Sequence, residues 1–141
     1  MNITVAIQMD HISTIDIDGD STFVLALEAQ KRGYKILHYV PKRLVMRNGD
    51  VLAKVEPLTV QREKGNHFQF GEAKEIKLKE VDVVLMRQDP PFDMAYITAT
   101  HLLEHTQRDT LVVNNPREVR NAPEKLFVTR FPEFIPPTLI G

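Results

Sequence analysis

The sequence predicts a three-layer α/β domain with a mainly parallel sheet and a β-hairpin insertion. Three observations carry this prediction. Short apolar, β-branched runs recur at residues 3–9, 34–40, 81–86 and 111–114, the pattern of strands buried on both faces. Helical patterns stand between the first and second runs and between the third and fourth, as βαβ units require. Between these units, Asn48-Gly49 separates two apolar runs in residues 44–53, a strong short-range hairpin signal.

Each element has a local reason. Residues 10–20 are polar and contain Gly19, and they read as a loop of about ten residues, long enough for a βα connection to be functional. Asp20 or Ser21 can cap a helix whose apolar positions are Phe23, Leu25, Ala26, Leu27 and Ala29. Lys31 and Arg32 suit its C-terminal end, and Gly33 stops it. The strand at 34–40 is closed by Pro41 and completes a βαβ unit, expected to be right-handed. After the hairpin, 55–62 and 67–70 alternate as short, half-exposed strands. Residues 71–80 are charged and are expected to face solvent. The strand at 81–86 runs into Arg87-Gln88-Asp89-Pro90-Pro91-Phe92-Asp93, and Asp93 can cap a helix from Met94 to about Gln107. Another buried strand is expected at 111–114. Pro116 fits the first turn of a short helix ending at Arg120, and Pro123 opens another that runs to Arg130. There is no internal repeat and no low-complexity segment.

Composition bounds the function. The 141 residues fit one domain, and 43% hydrophobic with 26% charged residues are globular values. A net charge of −1 and a pI near 6.5 give no general attraction to nucleic acid or to an anionic membrane. The absence of cysteine excludes disulfides, thiol nucleophiles and Cys-ligated zinc. No apolar run reaches the roughly 18 residues of a membrane span. The chain opens on a strand pattern, so no signal peptide is expected and the cytoplasm is the expected compartment. Residues 131–141 read as a linker followed by a strand barely begun, which suggests a fragment cut at a domain boundary.

The loop at 87–93 carries the chemistry. Open α/β sheets bind ligands beyond the carboxyl ends of their strands, where Arg87 and Asp89 fall. Pro90 and Pro91 fix φ and remove two donors, so the loop is stiff. A guanidinium and carboxylates on a stiff loop suit a small anionic or zwitterionic ligand. The plainer reading makes Arg87 and Asp89 a structural ion pair of little energetic weight; the strand end, the Pro-Pro pair and the adjacent helix cap favour binding. His101-Leu102-Leu103-Glu104-His105 matches H-x-x-E-H, but two ligands do not make a zinc site and no second acidic helix follows, so it reads as an exposed helix face. Asp16-Ile17-Asp18-Gly19-Asp20 starts like a calcium loop, yet its twelfth position is Leu27 where a Glu is needed. That acidic loop is either a ligand edge or simply solvated. No G-x-G-x-x-G, P-loop or Ser-His-Asp arrangement is present. By itself, Lys125 is an ordinary surface lysine.

Taken together, several segments resemble the N-terminal domain of the bacterial glutathione synthetases, which are ATP-grasp ligases. They are Ile7-Gln8-Met9-Asp10 with Ile15, Asp20-Ser21-Thr22-Phe23, residues 27–34, residues 85–93, Thr110 to Pro116, and Glu124-Lys125-Leu126-Phe127. The resemblance spans essentially the whole chain, and M-R-x-D-P-P-F-D with N-x-P and E-K-L-F is its specific part. It implies a Rossmann-like pre-ATP-grasp domain at 1–122 and the start of an ATP-grasp region at 123–141. It also implies a longer, homo-oligomeric enzyme that joins γ-glutamylcysteine to glycine using ATP with Mg2+ (or Mn2+). Here Arg87 would pair with a carboxylate of the peptide substrate, and Asp89 would hold its loop or receive a substrate amine. Asp20 and Ser21 would face the substrate cleft from the start of the first helix, and Lys125 would contact nucleotide phosphates. No catalytic residue or metal ligand is expected in this chain, and neither ATP nor a metal is expected to be held by it alone. The alternative is a non-catalytic α/β module for small-anion binding or subunit assembly; another ATP-grasp peptide ligase with a different acceptor would share the fold.

Overall fold

The first apolar run forms β1 (Thr4–Gln8), and its helix α1 (Ser21–Lys31) leads to β2 (Lys35–Tyr39). The hairpin region supplies β3 (Leu44–Arg47), β4 (Asp50–Val60), β5 (Phe68–Phe70) and β6 (Lys74–Lys77). The second unit is β7 (Val83–Met86), α2 (Met94–Thr106) and β8 (Leu111–Val113), followed by α3 (Pro116–Asn121) and α4 (Glu124–Phe127). This computed structural model describes residues 2–141. Among them, no helix is long and apolar enough to cross a membrane.

The eight strands form one sheet in the order β3-β4-β2-β1-β7-β8, with β5 and β6 also paired to β4. Strands β2, β1, β7 and β8 are parallel neighbours. The insertion is antiparallel throughout, and it supplies as many strands as the parallel part, so the sheet as a whole is mixed.

Residue alternation along β1 builds the three layers. Val5, Ile7 and Met9 pack with Ile36 and with Phe23 and Ala26 of α1. Ala6 packs on the opposite face with Leu37, Val84 and Met86, under Ala99 and Leu103 of α2. The helix boundaries follow their expected residues. The Asp20 carboxylate accepts from the Phe23 N–H at 2.7 Å, and Asp93 accepts from Tyr96 at 2.9 Å. Gly33 takes φ +77° after α1, while Tyr34 N–H reaches back to the Ala29 carbonyl at 3.0 Å. Asn48 (φ 52°) and Gly49 (φ 85°) form the tight turn between β3 and β4 with two positive φ angles.

Three elements depart from the sequence reading. β4 is a single strand of 11 residues that runs through Pro57. Its first part is flanked by β3 and β6, and its second part by β2 and β5, so the partners change beside the proline, which cannot donate to a ladder. Residues 71–80 are not all solvent-facing loop, because β6 pairs with β4 there. Its charges lie on an edge strand, where lysines are at home, and Lys77 Nζ meets Asp50 Oδ2 at 2.8 Å. β8 is only half-buried: Val112 is in the core, but Leu111 and Val113 are 62% and 41% exposed, because β8 ends the sheet and is covered on one face only.

Two substitutions separate backbone from packing effects. A Cβ at Gly49 meets nothing within 4 Å, so Gly49→Ala should cost about 1 kcal/mol through its positive φ alone. Leu103→Ala, at a fully buried core position, should cost about 2–5 kcal/mol. Urea midpoints that rank wild type above Gly49→Ala, and Gly49→Ala well above Leu103→Ala, agree with this; a Gly49→Ala midpoint equal to wild type contradicts the turn.

Candidate functional site

α1 carries the chain from β1 to β2 on one side, and α2 carries it from β7 to β8 on the other. The carboxyl ends of β1 and β7 are therefore a topological switch point, where a crevice opens between diverging connections. Residues 9 and 10 leave β1 there, and residues 87–89 leave β7. Arg87 N–H donates to the Gln8 carbonyl at 2.8 Å, and Asp89 N–H donates to Asp10 Oδ2 at 3.1 Å.

The half-buried Arg87 side chain turns towards α1. Its Nε–H donates to Thr22 Oγ1 at 3.1 Å, and an Nη2–H donates to Ser21 Oγ at 2.6 Å. Both acceptors are neutral hydroxyls. Among the described residues no carboxylate pairs with Arg87, so the structural Arg87–Asp89 ion pair does not form. A guanidinium has five N–H donors, and two are committed here, which leaves an oriented cation with spare donors.

Beside it, Asp10, Thr14, Ile15, Asp16, Gly19, Asp20 and Asp89 line an open depression of about 380 Å3. One oxygen of Asp20 is committed to its cap, and Asp16 Oδ1 accepts from Asp18 N–H at 3.2 Å, which folds the loop on itself. The structure thus joins Arg87 to Ser21, and places Asp20 and Asp89 in one depression. Lys125 lies exposed on α4, outside that lining.

Rings hold the acidic loop to the sheet. His11 packs edge-on against His38 and Phe70, each at 5.6 Å between centroids. His67 Nε2–H donates to the Ile12 carbonyl at 2.8 Å, and His38 Nε2–H donates to Asp10 at 3.4 Å. Burial pushes the His38 imidazole below its ordinary pKa. His11 adds to that, and the Asp10 carbonyl and Glu56 oppose it without prevailing. Asp10 and Thr22 were not singled out as binding residues in the sequence, nor was this ring cluster, although Asp10 ends β1 as Arg87 ends β7. On α2, Glu104 is engaged by Arg120, which also donates to Thr100 Oγ1 at 3.2 Å. Among the described residues no three His, Cys, Asp or Glu side chains are grouped so that they could hold a metal ion.

The oriented cation lies beside an acid-lined depression at the switch point of an α/β sheet, the place where open α/β sheets bind their ligands. Residues 3–120 match the family described as the prokaryotic glutathione synthetase N-terminal domain. The chain is 59% identical over 140 residues to the glutathione synthetase of Brucella melitensis, covering 99% of this chain and 45% of that protein. It is similar to the glutathione synthetases of Rhodopseudomonas palustris (57% identical over 141 residues, 100% of this chain and 45% of that protein) and Yersinia pestis (46% over 141 residues, 99% and 44%). The chain belongs to the prokaryotic glutathione synthetase family, and it spans less than half the length of these relatives.

His38 gives the domain a predictable acid response. Its folded pKa lies below the unfolded value of about 6.5, so the unfolded state takes up its proton first. The stability it contributes is full above that value and is lost as pH falls through it. The unfolding free energy should fall as the pH drops below about 6.5, and His38→Gln should flatten that fall; an unchanged slope in the variant contradicts the assignment.

Proposed function

We propose that this chain is the substrate-binding N-terminal domain of a cytoplasmic ligase that joins γ-glutamylcysteine to glycine at the expense of ATP. The observation that carries the reading is Arg87, a cation oriented by two hydroxyls and matched by no carboxylate of the described chain. An anion supplied by the ligand would complete it, through charge-assisted and potentially bidentate hydrogen bonds. γ-Glutamylcysteine is a zwitterion with two carboxylates and one ammonium. One carboxylate suits Arg87, and the ammonium suits the rim of Asp10, Asp20 and Asp89.

In this reading ATP phosphorylates the cysteinyl carboxylate of the dipeptide. The glycine amine then attacks the acyl phosphate, forming the peptide bond and releasing phosphate. This chain contributes binding and orientation, which convert encounters into productive geometry. Mg2+ (or Mn2+) would be held with the ATP phosphates by the rest of the enzyme and would neutralise their charge. The exposed ammonium of Lys125 suits a nucleotide phosphate, with the remaining contacts supplied by the rest of a homo-oligomeric enzyme. The cytoplasm suits a substrate whose thiol must stay reduced.

Removing a hydrogen-bonded charge from a carboxylate costs about 1.5–3 kcal/mol. In the full-length enzyme Arg87→Ala should therefore raise KM for γ-glutamylcysteine about 10–100-fold, with KM for ATP within about twofold of wild type. An unchanged peptide KM contradicts the reading. The 141-residue chain alone should form no glutathione from the three substrates, and detectable product would overturn that part.

A further inference from the structure

Gln8 is the fully buried last residue of β1, at a position where alternation calls for an apolar side chain. It shares its face of the sheet with Ala6, and its register partners are Tyr39 on β2 and Met86 on β7, all members of the core under α2. A buried amide is costly unless it is hydrogen-bonded. Gln8 donates from Nε2 to the side-chain Oε1 of Gln88, while its Oε1 accepts no bond among the described residues. Three successive residues of the loop are thereby tied to the end of β1. Arg87 is held through the Gln8 carbonyl, Gln88 through the Gln8 side chain, and Asp89 through the Asp10 carboxylate.

Side chains of successive extended residues leave the backbone on opposite faces. Arg87 points to α1, where it meets Ser21 and Thr22, whereas Gln88 reaches the Gln8 amide on the α2 side. Anchoring Gln88 on one face fixes the rotation of the segment, and with it the plane of the guanidinium on the other. We propose that Gln8 and Gln88 are positioning residues that hold Arg87 in the orientation required by the carboxylate of the peptide substrate. The inference rests on the binding role given to Arg87 above. It accounts for a glutamine pair at the end of a strand whose neighbours on that face, Ala6 and Met86, are apolar, and for a strand end tied at three consecutive positions.

The test uses the full-length enzyme with Arg87→Ala as reference. Gln8→Leu and Gln88→Leu should each raise KM for γ-glutamylcysteine about tenfold. KM for ATP and glycine should stay within about twofold; Tm should not fall in Gln8→Leu, where leucine suits the buried site, but should fall in Gln88→Leu, which leaves the buried Gln8 amide without its acceptor. Gln88→Glu keeps an acceptor for the Gln8 amide and should restore the peptide KM to within about threefold of wild type. The double leucine variant should be no worse than either single one, as expected for two halves of one contact. If Arg87→Ala raises the peptide KM and Gln8→Leu does not, the positioning role is overturned while the binding reading stands. A fall in kcat and Tm with no selective change in peptide KM also overturns it. If Arg87→Ala has no effect, the binding reading has failed, and amide exchange decides the positioning role: faster exchange at Gln88 and Asp89 in Gln8→Leu supports it, and unchanged exchange overturns it.

Discussion

Where β1 pairs in parallel with β7, in register from Val5 with Val83 to Gln8 with Met86, both strands end at the same edge of the sheet. Every candidate binding group other than Lys125 depends on that pairing. It sets Asp10 against the amide of Asp89, and it carries Arg87 to the start of α1. The two helices depart on opposite faces because Ile7 and Ala6, adjacent on one strand, belong to different cores. The crevice is thus a consequence of alternation along five residues and of the direction in which each connection leaves.

The charge arrangement separates structure from function. Arg32, Arg43, Arg47 and Arg120 each meet a glutamate. Asp50 is held down at about 2 by hydrogen bonds from Lys77 and Lys79, which knit β4 to β6 and to the turn beyond it. The Arg32 and Arg47 pairs are exposed, and screening leaves them little energetic weight, whereas the Arg43 and Arg120 pairs are part-buried. Arg87 is different. Neutral hydroxyls orient it without cancelling its charge.

Much of this was legible in the residues. Asp20, Asp93, Gly33 and Asn48-Gly49 act through local geometry, which needs no tertiary context, and each stands where local rules put it. The same holds for the place of Arg87 at the carboxyl end of β7, because a strand that stops in charged residues before Pro-Pro shows where it ends. Long-range pairing was less legible. Lys74-Glu75-Ile76-Lys77 has one apolar residue and becomes a strand only because the edge of β4 offers backbone partners. Pro57 suggests a break, and β4 passes through it because a different neighbour takes over. The Gln8–Gln88 contact joins residues 80 apart; its only trace is a glutamine inside an apolar run.

The account turns on whether Arg87 anchors the peptide substrate. Calorimetric titration of the full-length enzyme with γ-glutamylcysteine, without ATP, reads this directly when wild type is compared with Arg87→Ala. The account predicts an affinity at least about tenfold weaker in the variant, from the loss of one charge-assisted contact. Equal affinity in the two proteins would contradict it.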